Sequence, residues 1–189
     1  MKKIVVLLMG FLFLYGCTSV NRSLERLGFT HYQDRYMQDL EKHTRSYTLY
    51  RDFSTIAKIA ATRFDKKLMS EYIDVMSHLK GKSPSRYSDI YRELENYDVY
   101  YVAFYTPDMD LNNLEDKNSF WLVYLSACGN ILKPVSIDYI EKSDWRASWL
   151  YSIGNDRWYR EYIVKFNKNN CKNPILVVSS YLGTISLKF

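Results

Sequence analysis

The chain has 189 residues, 47% of them hydrophobic and 25% charged, which is material for one domain with a real core. These proportions exclude a disordered chain, a collagen-like repeat and a disulfide-dense miniprotein. The formal charge of +5 falls to +3 once Lys2 and Lys3 are set apart with the leading segment, too small a surplus to point to nucleic acid.

Met1-Lys2-Lys3 is a short basic start, and Ile4 to Tyr15 is an unbroken apolar run. A helix needs ~20 apolar residues to span a bilayer, so residues 1–16 read as a signal peptide. The run closes on Leu14-Tyr15-Gly16-Cys17, which resembles the lipobox of bacterial lipoproteins. Leu14, Gly16 and Cys17 match that pattern, and Tyr15 stands where a smaller residue is usual. The resemblance implies a palmitate-bearing lipid on Cys17 and a tether over 17–29. Thr18 occupies the place where an inner-membrane retention signal would resemble Asp. In a Gram-negative cell this implies a lipid anchor in the cell outer membrane, and otherwise on the outer face of the plasma membrane.

Thr30 and Gln33 form a capping-box pair, followed by Tyr32, Tyr36, Leu40, His43 and Tyr47 as one helical stripe. Residues 48–62 fit helix or strand, with the balance toward a strand over Ser54–Arg63. Asp65 is placed to cap a second helix, whose apolar face is Leu68, Met69, Tyr72, Ile73, Met76 and Leu79 and which Gly81 closes. Ser83-Pro84 opens a third helix with Tyr87, Ile90, Tyr91 and Leu94 inward. The period changes at Tyr97. Residues 98–106, 120–127, 131–140, 159–166, 175–181 and 184–189 read as strands, with Pro134 marking an edge or bulge. The expected class is α+β. Residues 30–96 are mainly helical and 97–189 form an antiparallel β-sandwich, immunoglobulin-like or C2-like, of about six or seven strands. Together they make one structural unit. The apolar residues at alternate positions of Thr184–Phe189 also resemble the closing strand of outer-membrane barrels, but the helical first half argues against one.

No motif for nucleophilic catalysis or phosphate cradling occurs, and no cofactor is implied. His31, His43 and His78 lack metal-ligand spacing, and His43 belongs to an apolar stripe. Asp108, Asp110 and Asn112 carry the oxygen ligands a calcium loop uses, without its glycine or closing glutamate. Trp145, Trp149 and Trp158 crowd one segment, as core or as an aromatic platform for sugars. With Cys17 lipidated, Cys128 and Cys171 are the thiols left, in a chain directed to an oxidising compartment, so a bridge between them is expected. Disulfide geometry makes that bridge nearly incompatible with a full strand over 144–153, so Trp145–Trp149 is expected to be mainly loop. The functional expectation is a non-catalytic envelope lipoprotein, bound to the membrane by its lipid, that meets an unknown envelope protein or glycan. A glycan- or peptidoglycan-binding module, or a hydrolase with carboxylates assembled by the fold, are the alternatives.

Overall fold

The computed structural model describes residues 29–81, 83–141 and 158–189. The lipobox, the tether over residues 17–28, and Trp145 and Trp149 lie outside the described residues. So does the expectation of a loop over 144–157.

Helix α1 runs Phe29–His43 and passes directly into strand β1, Thr44–Arg51. Tyr47 therefore belongs to a strand and is half exposed, not the last residue of the helical stripe. Two forces stop the helix. Residues 44–51 pair in register with β2, Ser54–Phe64, from Thr44↔Thr62 to Arg51↔Ser54. Side chains also occupy the carbonyls that the helix end leaves open: Thr44 Oγ1 donates to Leu40 O at 2.6 Å and His43 Nδ1 to Asp39 O at 2.7 Å.

Helix α2, Lys66–Lys80, is bounded as its sequence requires. Asp65 accepts a hydrogen bond from Leu68 N at 2.7 Å, and Gly81 ends the helix in the left-handed region at φ 58°. Pro84 opens a short 3-10 turn, Pro84–Tyr87, and the third helix α3 starts one turn later, at Ser88–Asn96.

The remaining strands are β3 Tyr97–Tyr105, β4 Leu122–Ala127, β5 Asn130–Leu132, β6 Ser136–Ile140, β7 Arg160–Asn167, β8 Ile175–Ser180 and β9 Gly183–Lys188. One sheet has the order β1-β2-β3-β7-β6 and the other β5-β4-β8-β9, and every pairing is antiparallel. The class is α+β. Residues 97–189 contribute seven of the nine described strands, and β1 and β2 add two from the stretch read as mainly helical. The expected strand over 131–140 divides at Pro134, which cannot donate to a ladder. Its halves join different sheets.

β3 explains the layering. It is buried from Asp98 to Phe104 on both faces, which is why its sequence is an almost unbroken apolar run. Val99, Tyr101 and Ala103 meet the helices through Tyr36, Leu40, Leu68, Tyr72 and Met76. Tyr100, Val102 and Phe104 meet the second sheet through Trp121, Leu125, Leu176, Ile185 and Leu187. The helices thus cover one face of the five-stranded sheet, and the four-stranded sheet covers the other. β1 and β9 approach at one corner, where Arg45 Nε donates to Lys188 O and Arg51 to Leu182 O. Gly183 is needed at that corner: a Cβ there would sit 2.8 Å from Leu49 Cδ2, on a backbone at φ 151°. β9 is an edge strand of the smaller sheet, with Ile185 and Leu187 in the core.

Cys128 and Cys171 stand at disulfide distance, with Cα atoms 5.6 Å apart. The reason is the β4–β8 pairing. Ser126↔Ile175 brings the end of β4 beside the start of β8, and each cysteine lies just beyond that pair. Adjacent pairing, not the parity of intervening strands, makes them meet.

Candidate functional site

A cavity of about 490 Å³ opens at the end of the five-stranded sheet where α1 stops, α2 starts and β2 and β3 have their helix-side ends. Its volume is within the range of small-ligand sites. Phe64, Leu94 and Phe189 give it apolar wall. The rest is charged. Lys42, Arg45, Arg63, Lys66 and Lys168 line it, against the carboxylates of Asp65 and Asp98. Lys42 is itself paired with Asp39 just outside the lining, so four cations against two carboxylates leave a local surplus of positive charge.

Asp98 is the organising group. It lies near the start of β3 and is 3% exposed. Its Oδ2 accepts from Asn169 N at 3.2 Å and from Asn169 Nδ2. Its Oδ1 faces Lys168 Nζ at 3.2 Å and Arg63 NH2 at 3.7 Å. Lys168 Nζ also donates to Leu94 O at 3.0 Å. One buried carboxylate thus holds two cations in the cavity wall, and it is fully satisfied while doing so. On the other side, His43 Nε2 lies 3.2 Å from Asp65 Oδ2, an ion pair whenever the imidazole is protonated. Arg45 is held by the carbonyls of Lys42 and Thr44 and lies 5.9 Å from the Phe189 ring centre. Lys66, exposed in the first turn of α2, has no ion-pair partner among the described residues.

A second charged group lies beside the cavity, between α1 and α2. Asp39 is buried and accepts from Lys42 Nζ at 2.7 Å and from Lys67. Lys67 reaches Glu71 Oε1 at 3.7 Å, and Arg35 reaches the same oxygen at 3.6 Å. Hydrogen bonds from Lys42 and then Lys67 hold the Asp39 carboxyl far below the usual carboxylate range. A carboxylate fixed in its ionised form is a poor proton donor. Burial raises the phenols of Tyr36 and Tyr101 well above their ordinary values, with the carboxylates of Glu71 and Glu161 acting in the same direction.

The residues singled out by sequence occupy other places. Asn112 turns fully inward: its Nδ2 donates to Phe104 O at 3.0 Å, and Tyr162 Oη donates to Asn112 O at 3.0 Å. Arg160 donates to the same carbonyl at 2.6 Å. Asp108 accepts from Asp110 N at 3.1 Å, capping the 3-10 turn Met109–Leu111. The loop's polar groups are therefore used to seat it on β3 and β7. Among the described residues no group of three or more His, Cys, Asp or Glu could hold a metal ion. Trp158 is half exposed, just ahead of β7. His43 lines the cavity, and its Nδ1 bonds the Asp39 carbonyl at the end of α1, the cap-bonded alternative to a packed imidazole.

Sequence reading did not find the cavity. Its cations are spread from position 42 to 168 and lie on four different elements and a loop, with no local spacing to connect them. No protein-family model, curated protein or solved structure matches the chain.

Proposed function

We propose that this protein is a membrane-anchored lipoprotein of the cell envelope whose domain is a non-catalytic binding module, with the cavity between α1, α2 and β3 as its binding site. The observation that carries the binding reading is the cavity's construction: an excess of cations over carboxylates, two of those cations held by the buried, satisfied Asp98. Such an arrangement is preorganised to hold a ligand. We read the two facing sheets as a β-sandwich of the immunoglobulin-like or C2-like kind with helices on one outer face; their shared apolar core supports that assignment. The Leu14–Cys17 segment supports the lipid anchor and, in a Gram-negative cell, an outer-membrane address. Among the described residues no helix is long and apolar enough to cross a membrane.

Two measurements test this reading. Cys17→Ala should leave the domain folded and release it from the membrane fraction or stall its processing. If the variant sediments with membranes as firmly as wild type, the anchor assignment fails. Cross-linking in native membranes should capture one stoichiometric envelope component with wild type and much less with Lys66→Glu. Equal capture by both would remove the cavity from the binding role.

A further inference from the structure

We infer that the cavity's ligand is a small organic anion, held through a phosphate or carboxylate group between the Asp98-supported cations and the start of α2. This rests on the cavity being a binding site and adds the chemistry of what it takes.

The argument begins with charge. Asp98 offers one negative charge to Arg63 and Lys168 and shares it with the Asn169 donors. Two guanidinium or ammonium groups around one carboxylate leave a net positive charge in a wall that also contains the buried Phe64 and Leu94. Like charges in a partly desolvated wall repel, and an anion between them relieves that repulsion. Lys66 adds a rim charge with no ion-pair partner among the described residues. The Asp65 carboxylate already occupies the amino-terminal end of α2, so the cations rather than the helix dipole carry the attraction. A cation would meet repulsion from these side chains, and a neutral sugar, whose hydroxyls can accept from Arg63 and Lys168, would leave their charge unbalanced.

Size and shape then limit the ligand. About 490 Å³ admits a molecule of metabolite or monosaccharide size, not a folded segment of another protein. Phe64, Leu94 and Phe189 give its carbon skeleton apolar surface to lie on. Asp65 lies at the opening, paired with His43, and disfavours a ligand whose charge extends outward in that direction.

The test uses the oxidised full-length protein in detergent, titrated at constant ionic strength with inorganic phosphate and, separately, with citrate. Backbone amide shifts are followed by NMR. The expected result is saturable binding of at least one anion, with the largest shifts at residues 42–45, 63–66 and 168. Lys66→Glu should weaken that binding roughly tenfold while leaving the circular dichroism unchanged, since it reverses one rim charge a few ångströms from the anion. Saturation by phosphate alone assigns a phosphate-bearing ligand, and by citrate alone a carboxylate-bearing one. Failure of both anions to saturate would overturn the inference. So would the same shifts on adding chloride, or wild-type binding by the Lys66→Glu/Lys168→Gln double variant. Absence of anion binding alongside intact Lys66-dependent cross-linking would refute the ligand class and leave the binding module standing.

Discussion

Replacing Cys128 by Ser and Cys171 by Ala tests how the bridge acts on stability. The two cysteines are 43 positions apart, so the bridge closes a loop of that length. In the chain-entropy model such a cross-link removes about 13 cal/mol/K from the unfolded ensemble, or about 4 kcal/mol at 25 °C. The folded state should change little. β4 and β8 hold the two chain segments together through Ser126↔Ile175 without the sulfurs. Cys128 is exposed, so Ser fits there, and Cys171 packs partly against the apolar core between the two sheets, so Ala suits it. The loss therefore acts through the unfolded chain. Urea unfolding of oxidised wild type and the double variant measures it, by circular dichroism and the fluorescence of buried Trp121. We expect the variant to be about 3–4 kcal/mol less stable, with a larger m value because its unfolded chain is less constrained. The melting temperature should fall by about 6–16 °C. A difference below about 1 kcal/mol would refute the reasoning. So would titratable thiols at Cys128 and Cys171 in the denatured, unreduced wild type.

The Asp39 carboxyl is held below its unfolded value, so it contributes stability that is fully present above about pH 4 and is lost as pH falls through the folded value. Asp39→Asn should flatten the acid limb of a stability–pH curve, and an unchanged limb would show that Lys42 and Lys67 do not protect this group. Tyr36, Tyr100, Tyr101 and Tyr162 are raised, mainly by burial, so the neutral phenol is favoured in the folded state. Their contribution is intact below pH 10 and falls as pH rises above it, because the unfolded chain ionises first. Absorbance titration should show these four phenolates appearing only with unfolding. Ionisation of all tyrosines in one step near pH 10 with the fold intact would contradict that.

Local chemistry was legible in the sequence wherever one short segment decides the outcome. Asp65 and Gly81 bound α2 because a cap needs only its own turn, and the β3 run reads as a strand because its side chains have nowhere polar to go. The α+β class followed from the change of hydrophobic period near Tyr97. Other outcomes depended on what each segment meets in space. Thr44–Arg51 fits a helix until β2 offers it a ladder. Pro134 signals an interrupted strand, but not that the two halves join opposite sheets. Asn112 looks like an oxygen ligand until Tyr162 and the Phe104 carbonyl satisfy it inside the fold. The cavity depended on tertiary structure most of all. Arg63, Asp98 and Lys168 lie far apart along the chain, and their attraction becomes strong only when β2, β3 and the loop after β7 bring them together in a partly dry wall. Electrostatic interaction depends on distance and dielectric, and neither can be read from order along a chain.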